Sequence, residues 1–283
     1  MTANLILKTL QMYERRGFTV RTGLSPWHFH CNSYRNLPLS FIFSDGTKVG
    51  VAGGIGFVEM FFFGSLCAAV QPSRILVIGN AFGLSTVLLS VLNPNAKVVT
   101  LDAGVEGIDN SEGNRLTERI AREEGLNLTV VLGFSPQAVP ATVKEHLEGK
   151  VDLFFIDGLH TEAQQELDFE ACWKFGGDKA IYLFHDVLNF KMRTGFDRIV
   201  RGHPEMRSAI LWRTVSGMGI LYPRTLDDSA AAIINLFTEP EALIEKTRRE
   251  ITVERFMTLS GAKYLRRILP ERLIRYLRRR LYG

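Results

Sequence analysis

The sequence predicts an α/β protein built on a doubly wound, mostly parallel seven-stranded sheet with an antiparallel terminal hairpin. From Ser73 onward, short apolar runs alternate with helix-length segments, which is the spacing of parallel strand–helix–strand units. The run at 153–156 (LFFI) is apolar without alternation, as a strand covered on both faces requires. Two later apolar runs are joined by a short link with Ser216-Gly217, which is too short for a crossover and predicts a hairpin.

The first 70 residues precede this pattern and are predicted to form an N-terminal extension that caps the substrate site. An amphipathic helix is expected from Leu5 to Arg16, because Gly17 is a helix-ending residue. A short strand is expected at 40–44. A buried helix is expected at 57–70, which ends before Pro72.

The pattern that follows indicates one domain at 71–224 and a helical C-terminal extension at 225–283. Parallel strands are predicted at residues 74–79, 97–102, 128–132, 151–157 and 179–185. The helices between them are predicted at 84–92, 111–124, 139–147 and 161–175. The hairpin strands are predicted at 209–213 and 218–222.

Composition excludes several classes of protein. Of the 283 residues, 46% are hydrophobic and 23% are charged, which is ordinary for a folded domain and not for a disordered chain. Cys31, Cys67 and Cys172 are odd in number and widely spaced, so neither a disulfide framework nor a cysteine zinc site is expected. The apolar stretch at 56–70 is shorter than the roughly 20 residues of a membrane span and contains Glu59. We expect a cytoplasmic protein.

The net charge of +4 is unevenly distributed. Residues 255–283 contain eight Arg and one Lys against one acid, Glu271, so this segment is +8 and the rest of the chain is −4. Leucines recur there at every fourth position, which predicts an amphipathic helix. It could pack on the body or on a second subunit, or make peripheral contact with the inner membrane face through residues 262–283. The near-neutral body argues against a nucleic-acid partner.

A glycine-containing turn follows the first strand of the sheet. Gly79 and Gly83 frame the sequence GNAFG, which opens a helix, and no lysine follows to hold a phosphate. Asp102 ends the next strand, where a carboxylate can accept hydrogen bonds from both hydroxyls of a ribose. The pattern predicts a nucleoside site. The alternative is that the glycines only make a tight turn and that Asp102 caps a loop.

The segments RILVIGNAFGLST and VVTLD resemble the opening motifs of class I S-adenosylmethionine-dependent methyltransferases, whose sheet is Rossmann-like. The resemblance covers residues 70–222. It implies that S-adenosylmethionine is the cofactor and that the methionine part lies against Gly79, Asn80 and Gly83, with Ser85 nearby. It further implies that Asp102 holds the ribose. The turn Gly133-Phe134-Ser135 is similar to the one that contacts adenine in this family.

Polar side chains follow the fourth and fifth parallel strands. Asp157 ends one strand, and His185 and Asp186 end its neighbour, so the three are expected at the same edge of the sheet. Two carboxylates and an imidazole can bind a divalent ion, which would lower the pKa of a substrate hydroxyl. His160, three residues past Asp157, is the expected general base. The alternative is that His185 is a core residue and that Asp186 caps a helix.

The pattern D-G-x-H-T followed by H-D-V resembles the catechol and macrocin O-methyltransferase subgroup. The resemblance implies Asp157, His185 and Asp186 as ligands of Mg²⁺, with Asp157 also lining the cofactor site and acting with His160 in catalysis. His185 stands where the catechol type has Asp. The fourth residue of D-G-x-H is His in sugar-directed relatives and Lys in the catechol type.

These features together predict a metal-dependent O-methyltransferase that acts on a hydroxyl of a sugar, glycolipid or natural product, so the expected partner is a small-molecule or glycan acceptor. A phenolic acceptor is the alternative within this class. A nucleoside-binding protein without catalysis, docked through its basic tail, is the alternative from another class. A nicotinamide-dependent oxidoreductase is disfavoured because the third glycine of its fingerprint is missing. A homo-oligomer is left open.

Two further groups of polar residues have ordinary interpretations. His28 and His30 would share one face of a strand, and a wall of the substrate pocket or plain packing is favoured over a metal site. Glu166 and Asp168, on the helix at 161–175, are expected on a solvated face.

Overall fold

The structure, a computed structural model, describes residues 2–22, 39–44, 52–105 and 110–247. The chain divides into two compact units, Met1–Thr238 and Glu239–Gly283. In the second unit the described part is 239–247, where the backbone N–H groups of Leu243 and Ile244 donate to the carbonyl of Pro240. The basic segment at 255–283, with the predicted membrane contact at 262–283, lies outside the described residues, as do Cys31, His28 and His30.

The N-terminal segment contains two helices and a small sheet. The helices are α1 (Thr2–Glu14) and α2 (Phe57–Val70), and the strands are β1 (Phe18–Arg21), β2 (Ser40–Ser44) and β3 (Ala52–Gly54). The strands pair antiparallel in the order β1-β2-β3. The two expected helices and the expected strand β2 are present, whereas β1 and β3 were not expected. Strand β1 (FTVR) does alternate buried with more exposed residues, but four residues is the shortest run in which alternation indicates a strand, and the three residues of β3 are too few.

The main sheet has seven strands: β4 (Arg74–Ile78), β5 (Lys97–Asp102), β6 (Leu128–Leu132), β7 (Leu153–Ile156), β8 (Ile181–Phe184), β9 (Arg207–Leu211) and β10 (Met218–Tyr222). Their order is β6-β5-β4-β7-β8-β10-β9. The pairs from β6 through β8 are parallel, and β10 runs antiparallel to both β8 and β9. The predicted sheet with its terminal hairpin is confirmed. Strand β9 begins two residues earlier than predicted.

Helices cover both faces of this sheet. They are α3 (Leu84–Leu92), α4 (Asn110–Glu124), α5 (Val139–His146), α6 (Glu162–Gly176), α7 (Arg193–Gly202) and α8 (Asp228–Leu236). Alternate residues of each strand enter opposite clusters: Phe155 packs with α1, α2 and α3, and Phe154 packs with α5 and α6. All four residues of β7 and of β8 are buried, because helices lie on both sides of these strands.

The N-terminal helices share the core of the main sheet. The ring of Phe63, from α2, meets that of Phe155 edge-on with centroids 5.1 Å apart. Tyr13, from α1, is fully buried and its hydroxyl donates to the carbonyl of Phe82 at 3.0 Å. Helix α2 thus packs on the main sheet, and α1 holds the loop that follows β4. None of the helices in the described ranges is long and apolar enough to cross a membrane.

Candidate active site

The side on which successive strands are added changes at β4. Strands β5 and β6 lie on one side of β4, and the later strands β7 and β8 lie on the other. In an open α/β sheet this switch point leaves a crevice at the carboxyl ends of the strands, and ligands bind there. The loops after β4, β5, β7 and β8 all begin at this edge, and they carry the residues predicted from the sequence to form the site.

The turn after β4 needs glycine for reasons of both conformation and space. Gly79 has φ +89°, and its N–H donates to Leu101 O at 2.9 Å. A Cβ on Gly79 would lie 2.1 Å from the backbone oxygen of Asp157. Gly83 has φ +75°, and a Cβ there would lie 2.1 Å from Thr117 Oγ1. The loops after β4 and β7 are therefore in backbone contact.

Asn80 was predicted to line the methionine part of the cofactor, but its side chain is buried between helices. Its Nδ2 donates to Asn114 Oδ1 at 2.7 Å and to Thr117 Oγ1 at 3.0 Å, and its Oδ1 accepts from Thr86 Oγ1 at 3.0 Å. The amide joins the loop after β4 to α3 and α4. Any contact of Asn80 with a ligand would therefore involve its backbone.

Asp102 is 6% exposed and organises the same loop. One oxygen accepts from the N–H groups of Asn80 at 2.7 Å and Ala81 at 3.4 Å. The other accepts from Gly104 N at 2.7 Å and Asn114 Nδ2 at 3.0 Å. Asp102 thus fixes the turn in the way that the loop-capping alternative describes, and its role as ribose acceptor stays a prediction. The sequence analysis missed Asn114.

The predicted adenine-contacting turn adjoins this edge of the sheet. Gly133 N donates to Asp102 O at 2.9 Å, and a Cβ on Gly133 would lie 2.8 Å from Ala138 Cβ. The carbonyl of Ser135 accepts from Gln164 Nε2 at 3.0 Å, which joins the turn to α6. Ser85 is buried in the first turn of α3.

The carboxyl ends of β7 and β8 bring Asp157, His160, His185 and Asp186 together, and we call these four residues the acid–imidazole cluster. His185 Nδ1 lies 3.1 Å from Asp157 Oδ1 and 3.2 Å from Asp186 Oδ2. His160 Nε2 lies 3.4 Å from the same two oxygens. Asp186 adopts φ +55°, and its Oδ1 accepts from Asn189 Nδ2 at 2.9 Å. The predicted convergence of these residues is present.

A fifth residue, Glu59 of α2, completes the charges of this region. It is fully buried, and its Oε2 lies 3.3 Å from His185 Nε2. The sequence analysis missed it because 126 positions separate it from His185. The available signal was its position as the one acid in the otherwise apolar helix at 57–70.

The imidazole and the carboxylates stabilise one another's charged forms. Burial alone would lower the pKa of His185, but the charges of Asp157 and Glu59 raise this pKa well above its usual value. Burial alone would raise the pKa of Asp157, but the charge of His185 and hydrogen bonds from both histidines hold it below its usual value. For Glu59, the charge and hydrogen bond of His185 outweigh burial, so its pKa is also lowered. The negative charges of Glu59, Asp157 and Asp186 together exceed the single positive charge of His185.

The donor set of the acid–imidazole cluster fits a divalent cation. Ligand atoms of Asp157, His160 and Asp186 lie within 4.8 Å of one another. His185 Nδ1 is buried, and the described residues offer it no hydrogen bond of good alignment, although two carboxylate oxygens lie within 3.2 Å. A buried nitrogen beside two carboxylates is the arrangement that a metal ion with oxygen and nitrogen ligands requires.

Asp168 does not lie on a solvated face, so that expectation is wrong. Its side chain is 1% exposed, and its Oδ1 accepts from Gln164 Nε2 at 2.7 Å. Burial raises its pKa, against the opposing effect of hydrogen bonds from Ser135 and Gln164. Asp168 faces the turn at 133–135 because α6 packs against the sheet along this side. Glu166 is exposed as expected and pairs with Arg198.

Comparison with known proteins identifies the domain that holds these loops. Residues 76–187, less than half of the chain, match a family model described as a methyltransferase domain. The predicted methyltransferase class is thereby confirmed for this domain, and its use of S-adenosylmethionine stays a prediction. No curated protein matches the sequence.

Several solved structures have a similar fold. They include cofactor-bound Rv0187 from MTB (18% identity, 60% of this chain and 82% of that chain, TM-score 0.48). An O-methyltransferase from Bacillus cereus in complex with SAH is similar at 16% identity (77% and 90%, TM-score 0.48). The SAH-bound methyltransferase PaMTH1 from Podospora anserina is similar at 13% identity (78% and 88%, TM-score 0.48).

Gly79→Ala should be more destabilising than Gly125→Ala. Both positions have positive φ, so each substitution costs about 1–2 kcal/mol in backbone strain. A Cβ at Gly125 meets nothing within 4 Å, whereas one at Gly79 strikes the backbone of Asp157 and should cost a further ~1–3 kcal/mol. Urea unfolding of the two variants measures the difference, and equal costs would show that the two loops are not in contact.

Asp168→Asn should gain stability relative to the wild type as pH rises. Because the folded-state pKa of Asp168 is raised, the folded wild type holds this proton more tightly than the unfolded chain does. Wild-type stability therefore falls as pH rises from about 4 through the folded-state pKa, and the amide variant lacks this loss. Thermal unfolding from pH 4 to 8 measures the change, with exposed Asp197→Asn as the control. A difference that does not vary with pH would contradict the prediction.

Proposed function

We propose that this chain, whose residues 76–187 match a methyltransferase domain, transfers a methyl group from S-adenosylmethionine to a hydroxyl group. The observation that carries the proposal is the backbone contact between Gly79 and Asp157. Because of this contact the glycine turn, where the donor would bind, lies directly against the acid–imidazole cluster, where the acceptor would be activated. A donor and an acceptor bound at the two would be neighbours, and their proximity is itself a large part of catalysis.

The acid–imidazole cluster supports activation of the acceptor oxygen. Asp157, Asp186 and His185 would hold a divalent ion through two carboxylates and a buried nitrogen. Such an ion would supply Lewis-acid character and lower the pKa of a hydroxyl bound to it. Magnesium prefers oxygen ligands, so the imidazole in this set would weaken its binding and favours divalent ions that also accept nitrogen ligands.

His160 is proposed as the general base. Its side chain is 27% exposed, against 4% for His185, so it is the imidazole of the cluster that an acceptor can reach. Its ring stacks on Phe190 with centroids 4.3 Å apart and an interplanar angle of 15°, which fixes its orientation. The methyl group would pass from the sulfonium to the acceptor oxygen, the hydroxyl proton would pass to His160, and S-adenosylhomocysteine would leave.

The rim of the cluster supports a ring-shaped acceptor. Phe190 is 54% exposed and Leu159 is 66% exposed, and both adjoin His160. An exposed aromatic face beside a polar cluster can take the C–H face of a sugar, so a sugar, glycolipid or natural-product hydroxyl is the proposed substrate. A phenolic acceptor is the second candidate, because the same Phe190 ring can stack on an aromatic one.

Methyl transfer from labelled S-adenosylmethionine to panels of sugars and phenols tests the activity. We expect transfer to a hydroxyl compound, and calorimetry should show S-adenosylhomocysteine binding that weakens in Asp102→Ala. Exposed Glu166→Gln, on α6, serves as the control for both measurements. Cofactor binding with no turnover on any hydroxyl acceptor would favour a binding protein without catalysis.

Substitution of the proposed base, His160, should lower kcat without weakening cofactor binding. We expect His160→Gln to reduce kcat by about 10²–10⁴-fold, the usual contribution of a positioned base, with S-adenosylhomocysteine affinity unchanged. Steady-state kinetics and calorimetry measure the two effects.

Removal of the ion should stop the reaction in the wild type. A chelator is expected to abolish methyl transfer, and readdition of Mn²⁺ or Mg²⁺ should restore it. Asp186→Asn should prevent the restoration, because the amide keeps the shape of the side chain and tolerates its positive φ but lacks the charge. Full activity in chelator, with His160→Gln equally active, would rule out this mechanism and leave the fold unaffected.

A further inference from the structure

Glu59 is a fully buried acid that lies outside the matched methyltransferase domain. It sits in the first turn of α2, a helix whose other residues are uncharged and mostly apolar. Burial of a carboxylate is costly unless the group is paired and hydrogen-bonded. The contacts of Glu59 therefore indicate what the charge is for.

Its carboxylate oxygens accept hydrogen bonds both from the start of its own helix and from a link 157 residues later in the chain. Oε2 accepts from Gly56 N at 2.6 Å, at the start of its own helix. Oε1 accepts from Ser216 N at 3.0 Å and from the hydroxyl of the same residue, in the link between β9 and β10. These backbone groups can only donate, so both carboxylate oxygens serve as acceptors.

The remaining neighbour of Glu59 is the imidazole of His185. Its Nε2 lies 3.3 Å from Glu59 Oε2. Because that oxygen is an acceptor, the hydrogen in this contact belongs to Nε2. The ring edge that faces Glu59 is thereby assigned as N–H, and the opposite edge, with Nδ1, faces Asp157 Oδ1 at 3.1 Å and Asp186 Oδ2 at 3.2 Å.

The orientation of the ring has a direct chemical consequence. A neutral imidazole carries one hydrogen, so a hydrogen held on Nε2 leaves a lone pair on Nδ1. Metal-binding histidines usually donate their second N–H to a carboxylate or carbonyl, which fixes the tautomer and the ring plane. The edge of Phe155 also packs against the ring, with centroids 5.7 Å apart, and limits its rotation.

We propose that Glu59 is a positioning residue that fixes the His185 ring with Nδ1 directed between Asp157 and Asp186 as a ligand for a divalent cation. The inference rests on the metal site of the proposed function and deepens it. It brings the N-terminal segment into the active site, because the carboxylate comes from α2 rather than from the matched domain.

Mn²⁺ binding to the full chain, measured by electron paramagnetic resonance without donor or acceptor, tests the proposal. Glu59→Gln places a neutral amide against Nε2. An NH₂ group there would donate to Nε2 and move the imidazole hydrogen to Nδ1, where it blocks the metal, whereas an amide oxygen there would accept from Nε2 more weakly than the carboxylate does, so either orientation weakens the hold on the ring. We expect Mn²⁺ affinity to fall by about 10–100-fold, the usual effect of losing such a partner. S-adenosylhomocysteine affinity should stay unchanged.

Glu148→Gln is the matched control, because it makes the same chemical change at an exposed acid paired with Lys97 and Arg74. Unchanged Mn²⁺ affinity in Glu59→Gln, with the wild type binding normally, would overturn the role of Glu59 and leave the proposed function in place. Failure of the wild type to bind Mn²⁺ would instead overturn the metal site, and the inference with it.

A measurement on the wild type keeps the proposal testable if Glu59→Gln does not fold. In ¹⁵N-histidine spectra of the Zn²⁺-loaded protein, assigned against His185→Asn, we expect His185 to keep its hydrogen on Nε2 and to bind the ion through Nδ1. A hydrogen on Nδ1 in the loaded protein would overturn the proposal.

Discussion

The site depends on a backbone contact between two loops. Gly79, after β4, has no side chain where the carbonyl of Asp157, after β7, approaches. The parallel pairing of β4 with β7 aligns their carboxyl ends, and the glycine lets the loops beyond them close. With a larger residue at position 79 the two loops would have to separate.

The second requirement is the arrangement of buried charge around the imidazole of His185. Three carboxylates, from Glu59, Asp157 and Asp186, lie within 3.3 Å of its two nitrogens. Isolated ions would be too costly at this depth, whereas the paired set is stable and still leaves excess negative charge. That excess negative charge would favour a bound cation.

Two side chains with predicted binding roles hold the turn after β4 together. Asn80 and Asp102 were predicted to face the cofactor, yet the amide of Asn80 joins α3 to α4, and the carboxylate of Asp102 accepts from three backbone N–H groups in the loops and from Asn114 of α4. These contacts make the turn rigid before any ligand arrives, which lowers the cost of ordering it on binding. Asp168 was expected in solvent but is buried. It accepts a hydrogen bond from Gln164, which also donates to the carbonyl of Ser135 in the turn at 133–135.

The sequence by itself determined the sheet, its hairpin, the glycine turn and the convergence of Asp157, His185 and Asp186, because apolar runs and turn residues are local signals and parallel strands end at one edge. It did not determine the N-terminal strands β1 and β3, because the three residues of β3 carry no periodic signal and the four of β1 carry only the shortest one. Only the tertiary structure decided that Glu59 meets His185 and that Asp168 is buried. Contacts across 126 residues depend on how helices pack on the sheet, which the local pattern of neither segment encodes.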